Sequence, residues 1–369
     1  MFHTLRNYIK HIPGWSTKKK ILVIESDDWG SIRMPSNKTR ETLIDSGINL
    51  GNSNFLKYDT LTNDEDLNLL FDVLTSVKDR HGNSAKFTPF VNLTNPNFEK
   101  IKEDNFENYY HERFVETQKK YFGKDFLELW LSGINKGFFS PEYHGREHFN
   151  VPLLMELLQK SDELKLAFNH GVVHIPLKNI KPQELKSLAP AYYVNQKEDL
   201  DEYKKSLREG VDVFKQLFGY QPTCFAAPNG IFMQELEDEL GRLGVKNFVV
   251  NRTRIEPDLN GGLTTKSFNL SFGKISESGH MYYRRNVKFE PVQSGYNQSK
   301  TLSEINIAFA MGKPAVLSTH KVNYVGSLSK PHRDKNLQEL YTILRKVVKK
   351  HPDVVFMTSR ELSQLIREQ

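Results

Sequence analysis

A single cysteine, Cys224, leaves this chain without an internal disulfide framework, in keeping with a reducing compartment. Long apolar runs are also missing: nothing approaches the ~18 uninterrupted apolar residues of a membrane span. Met1 to Lys20 lacks the continuous apolar centre of a secretory signal. There is no G-x-x-x-x-G-K-(S/T) loop, no G-x-S-x-G elbow and no G-x-G-x-x-G fingerprint, so nucleotide hydrolysis, serine-esterase chemistry and dinucleotide binding lack support. Basic residues form no platform interleaved with aromatics, and no zinc-finger spacing occurs. A net charge of +6 over 369 residues then gives no reason to expect a nucleic-acid partner. The expectation is a soluble, cytoplasmic protein with no transmembrane segment. Phe2, Leu5, Ile9 and Ile12 recur at helical spacing beside Arg6 and Lys10. So short a stripe suits a terminal helix packed on the body, with peripheral contact to anionic lipid the lesser reading.

What is present can build a large core: 38% of residues are apolar and 26% charged, a balance typical of globular proteins. Ile21-Leu-Val-Ile24 has the form of a parallel strand buried on both faces. Ser36 to Tyr58 reads as an inserted polar loop, and Thr62-Asn-Asp-Glu65 as a capping box opening a helix through Leu67, Leu70, Leu74 and Val77. Phe87 to Leu93 resumes an extended pattern, which completes a βαβ unit. Asn95 to Lys136 is charged and aromatic and predicts added helices. Tyr203, Leu207, Val211, Phe214 and Phe218 form a helical stripe stopped by Gly219. Further on come strands at Thr223 to Ala227, Asn247 to Val250 and Ala315 to Leu317, with helices at Glu235 to Leu243 and around Leu337 to Val348. This alternation predicts an α/β fold, a parallel barrel or doubly wound sheet. We expect one domain over 1–369, with inserted segments around 31–63 and 97–137.

Three groups of chemically capable residues follow proposed strands, where such folds place their chemistry. They are Asp27-Asp28-Trp29, His144-Gly-Arg-Glu-His148 and Leu317-Ser-Thr-His320. Paired carboxylates can divide their labour, one holding a metal and the other remaining a free base. One carboxylate with two imidazoles makes an open site for Zn²⁺ or a similar divalent ion. Taken singly, the aspartates also suit a loop cap, H-x-x-x-H a helix surface and His320 a loop. His170 and His174 repeat the H-x-x-x-H spacing but favour packing or surface. His280 to Asn286 is a polar, aromatic loop whose Arg284 and Arg285 suit an anionic group, or simply a paired surface turn.

The set resembles the polysaccharide deacetylase family, also called the NodB-homology family or carbohydrate esterase family four. That family opens on T-F-D-D-G, continues with H-(S/T)-x-x-H and an R-x-P-(Y/F) turn, and ends on L-x-H. Here Glu25-Ser-Asp27-Asp28-Trp29, His144 to His148, Phe225-Ala-Ala-Pro228-Asn229-Gly230 and Leu317 to His320 stand in those places. The similarity spans roughly residues 20–325. It implies a distorted (β/α) barrel of the glycoside hydrolase/deacetylase type. It also implies hydrolysis of an acetyl or formyl group from an amino sugar, or of a related non-peptide C–N bond, in polysaccharide metabolism. Carried over, Asp27 is the catalytic base and His320 the general acid. Asp28, His144 and His148 hold one divalent metal ion, Zn²⁺ first, with Co²⁺, Ni²⁺ or Mn²⁺ as substitutes. Trp29, Pro228, Asn229, Arg252 and Tyr324 are the expected substrate contacts, for a carbohydrate or sugar-precursor substrate.

The chain departs from the pattern in several places, among them Asn229 for the aromatic residue of the third motif and an extra residue between Leu317 and His320. Trp29 stands where the family has glycine, and its indole suits either a sugar ring or a filled core. Ala226 stands where the family has the arginine that orients the base, and Arg252 and Arg254 are the candidates to replace it. The missing arginine sustains an alternative, a catalytically degenerate carbohydrate-binding protein that keeps the fold. A metal-dependent phosphoesterase would want more carboxylates or a second metal.

Overall fold

The computed structural model describes residues 13–177, 185, 187–251, 253–259, 262–267 and 271–369. Ten strands form one sheet: Ile21–Trp29 (β1), Thr88–Val91 (β2), Glu142–Tyr143 (β3), Cys224–Ala226 (β4), Asn247–Val249 (β5), Lys274–Ile275 (β6), Met281–Tyr283 (β7), Val287–Lys288 (β8), Ala315–His320 (β9) and Val355–Phe356 (β10). Their order is β6-β7-β5-β4-β3-β2-β1-β9-β8, with β10 also paired to β1. All pairings are parallel except β6 with β7. β7 and β8 stand near opposite ends of this order, yet only Arg284, Arg285 and Asn286 link them. So short a link spans ~14 Å at most. The sheet must therefore curl until its ends approach, giving a distorted (β/α) barrel whose seam carries no strand pairing among the described residues.

β1 shows how sequence becomes placement. Its side chains alternate between faces. Leu22 and Ile24 meet the helical layer that includes Leu67, Leu70, Leu340 and Leu344. Ile21 and Val23 face the barrel interior with Met281, Tyr283, Val316, Leu362 and Ile366. The same alternation sends Glu25 and Asp27 inward, where apolar packing gives way to buried charge.

Several expectations need correction. Residues 36–58 are not a bare loop: they carry helices Asn37–Asp45 and Asn54–Tyr58, capped by the Ser36 and Ser53 hydroxyls. The capping box falls one residue later than read, between Asn63 and Asp66. The added helices are Phe98–Glu103, Phe114–Phe122 and Leu127–Asn135. The stripe from Tyr203 lies on helix Leu200–Phe218, closed by Gly219 at φ 75. The terminal stripe from Phe2 to Ile12 lies outside the described residues. Among the described residues, no helix is long and apolar enough to cross a membrane.

Candidate metal centre and active site

β1 does not end as a regular strand. Asp28 takes φ 71, a left-handed conformation that costs a non-glycine residue energy. The register with β2 shifts at this point. Successive side chains of a regular strand point to opposite faces; the kink instead lets Asp27 and Asp28 line one cavity. The Ser31 hydroxyl donates to the Asp28 carbonyl at 2.7 Å and holds the turn. Glycine is required at position 30, where φ is 82 and an added Cβ would lie 2.2 Å from the Asn92 carbonyl oxygen.

His144 follows β3 directly, and its amide donates to the Val91 carbonyl at 3.0 Å. Its Nδ1 lies 2.7 Å from the Ala226 carbonyl oxygen, which fixes the ring and turns Nε2 toward Asp28. Asp28 Oδ1 is 3.4 Å from His144 Nε2 and 2.8 Å from His148 Nε2. The ligand atoms of these three buried residues lie within 4.8 Å of one another. His144 Nε2 is buried without a hydrogen-bond partner, which a cation would satisfy. Between the histidines, Arg146 and Glu147 form a buried pair, extended by Glu209 to Arg146 and by Thr94 and Tyr109 to Glu147. That lattice sets the H-x-x-x-H spacing on a pinned loop, where helical geometry plays no part.

The electrostatics divide the two aspartates. Burial works to raise the Asp28 carboxyl, but His148, His144 and Arg33 outweigh it and hold it well below the usual range. Burial likewise depresses His148, which favours the neutral imidazole that ligates metals. Arg285 grips both oxygens of Asp27, one at 2.6 Å. Burial opposes ionisation of Asp27, yet Arg285 and the nearby histidines keep its carboxyl below the ordinary value. Arg285 also donates through Nε to Glu25 at 2.6 Å, and Glu25 accepts further from Tyr283 at 2.7 Å and Ser359 at 2.6 Å. On the neighbouring strand His320 pairs in register with Asp27 and contacts Glu290 through Nδ1. Burial would lower this imidazole, but Glu290 and both aspartates push it up to about 9.

The cavity encloses about 710 Å³ and brings together Asp27, Asp28, His144, His148 and His320. Asn229, exposed at φ 55, lines the same cavity, while Pro228 is buried. Two expected substrate contacts are displaced. Trp29 is 1% exposed among Phe87, Trp130, Phe139 and Tyr324, its indole donating to Ser26 at 2.8 Å. Tyr324 is fully buried, its hydroxyl 3.1 Å from Thr319. Both are core residues, so neither offers a face to a sugar. Arg252 lies outside the described residues, and Arg254 pairs with Glu237 and Glu256. The arginine that holds Asp27 is Arg285, which is largely buried and binds the chain's own carboxylates, unlike the surface turn or ligand contact expected of it. His170 is exposed, whereas His174 is buried with its ring 5.9 Å from that of His148.

Nothing in the sequence pattern marked Arg33 or Glu290, and Glu25 was quoted in the first motif without a role. Arg33 sits at the start of the inserted segment read around 31–63, Glu25 opens the first motif in place of a threonine, and Glu290 stands alone.

No protein-family model and no curated protein matches the chain. Solved structures do. A protein from Parabacteroides distasonis assigned as a glycoside hydrolase/deacetylase matches with TM-score 0.52 and 9% identity, over 97% of this chain and 73% of its own. One from Pseudomonas aeruginosa assigned to the polysaccharide deacetylases gives 0.48 and 11%, over 95% and 92%. Another such assignment, from Mycobacterium smegmatis, gives 0.44 and 13%, over 97% and 93%. At these identities the likeness concerns the fold: a divergent barrel of the deacetylase type, with a buried Asp/His/His group at its mouth.

Proposed function

We propose that this protein is a metal-dependent hydrolase that removes an acetyl or formyl group from an amino sugar or a related non-peptide C–N bond. The observation that carries the reading is the division of the two adjacent aspartates. Asp28 faces two imidazoles, while Asp27 is clamped by Arg285 beside His320, whose imidazole Glu290 contacts through Nδ1. One carboxylate and two imidazoles fit Zn²⁺, with Co²⁺, Ni²⁺ or Mn²⁺ as substitutes, and such an ion when bound polarises an acyl carbonyl and acidifies water.

The chain's own residues do the rest. Asp27, kept ionised by Arg285, takes a proton from the attacking water as the oxygen bonds to the acyl carbon. His320 gives its proton to the amine nitrogen as the C–N bond breaks, so a carboxylic acid and a free amine leave. The Glu290 contact keeps that proton on His320 at neutral pH and aims the opposite nitrogen into the cavity. Asn229, exposed where it lines the cavity, is the remaining substrate contact from the third motif. A carbohydrate or sugar precursor in a reducing, cytoplasmic setting is in keeping with Cys224 as a buried free thiol.

The alternative of a degenerate binding protein rested on the missing arginine, and Arg285 weakens it. The test is metal content of wild type and His148→Ala after dialysis and Zn²⁺ or Co²⁺ reloading, followed by acetate and formate release from N-acyl amino sugars. The reading expects near one equivalent in wild type, its loss in the variant, and metal-dependent release. A wild type that retains no metal after reloading refutes it.

A further inference from the structure

The carboxylate of Asp28 is used on both sides. Both imidazole contacts fall on Oδ1, whereas Oδ2 accepts from Arg33 Nη2 at 3.1 Å. Arg33 is 9% exposed and lines the same cavity. Through Nε it donates at 3.1 Å to Asp59, whose other oxygen lies 2.6 Å from the Lys321 ammonium. Asp59 and Lys321 are both fully buried, and Lys321 also donates to the carbonyls of Ser31, at 3.0 Å, and Thr60. Charge therefore alternates along Asp28, Arg33, Asp59 and Lys321 away from the histidines. Sealed from water, such a row acts strongly on its neighbours.

We propose that Arg33 is a positioning residue for the metal centre. It restricts Asp28 to a single ligating oxygen and draws negative charge from it, so the site holds a divalent ion less tightly than its three ligands would alone. This rests on the metal-hydrolase reading. Outer partners of ligating carboxylates tune a metal in this way. A cation held by a charge-depleted carboxylate keeps more of its own charge for the substrate. Asp59 sets how far Arg33 can act, because it shares the guanidinium and is itself balanced by Lys321.

The experiment is calorimetric titration of Zn²⁺ into chelator-stripped wild type, Arg33→Met and Asp59→Asn, with visible spectra of the Co²⁺ forms. Arg33→Met frees Oδ2, so binding should tighten by about ten-fold, the worth of one charged hydrogen bond. Its Co²⁺ absorption should weaken as the second carboxylate oxygen enters and the coordination number rises. Asp59→Asn turns all of Arg33 upon Asp28, so binding should weaken by about ten-fold. These opposite signs separate a charge-tuning role from a scaffold role, in which both substitutions loosen the site. Weaker or unchanged binding in Arg33→Met, an unchanged Co²⁺ spectrum, or affinities that move in the same direction would overturn the proposal. Should Arg33→Met fail to fold, the near-isosteric Asp59→Asn decides, tighter or unchanged binding counting against it. Absence of metal binding in wild type instead overturns the hydrolase reading.

Discussion

Replacing Arg285 by Met should damage stability and chemistry together while sparing the metal. The guanidinium serves two buried carboxylates: Glu25, fully buried, and Asp27, 8% exposed. Removing the common partner of a buried ion pair costs about 3–5 kcal/mol, because charge is left behind without compensation. In a chain this long each kcal/mol moves the unfolding midpoint by about 2 °C, so a drop of about 6–10 °C is expected. Adding Glu25→Gln removes one of the two stranded charges and should recover part of that loss, which a double-mutant cycle would read. The pH dependence has a definite sign. Asp27 is depressed in the folded protein, so its contribution is present above the unfolded carboxylate pKa and lost as pH falls through the folded value. Without Arg285 the acid limb of unfolding should begin at higher pH. Acyl-sugar turnover should fall with the ill-held base while metal content remains at the wild-type level. A midpoint shift below about 2 °C, or a double variant no more stable than the single one, would refute the account of Arg285 as the clamp of Glu25 and Asp27.

Two further outcomes follow from buried contacts. His320 is raised to about 9 by Glu290, so its contribution is full below the unfolded histidine pKa of about 6.5 and is lost as pH rises through about 9. With chelator present, the wild-type midpoint should decline over that window and Glu290→Gln should be flatter; equal slopes would remove Glu290 as the cause. Trp29→Ala should cost about 3–5 kcal/mol as a cavity in the aromatic core, with metal content per folded molecule unchanged. A normal midpoint with impaired sugar binding would instead return Trp29 to the cavity.

Strand and helix alternation was legible because apolar spacing reports which face is buried, although the ends were not: β1 runs on to Trp29, past the apolar run, and the last long helix begins at Lys330, ahead of Leu337. Helix Asn37–Asp45 was hidden because it buries only Leu43, too little for a stripe. The site was legible where residue types are rare and clustered: Asp27-Asp28, His144 to His148, and His320 past a strand. Trp29 was ambiguous, since an indole serves a core or a sugar equally well until its neighbours are known.

The sequence by itself determined the α/β alternation, the three imidazoles and the pair of carboxylates, because local pattern and chemical type carry that information, while the choice of barrel over doubly wound sheet rested on the family resemblance until the sheet was seen to curl. Only the tertiary structure decided which groups command them. Arg285 reaches Asp27 across the seam of the curled sheet, Glu290 reaches His320 from another strand end, and Arg33 reaches Asp28 only because that residue leaves the strand at φ 71. Charge pairing acts over a few ångströms in space and leaves no period in the chain, so the arginine that grips Asp27 could be found only once the barrel had closed.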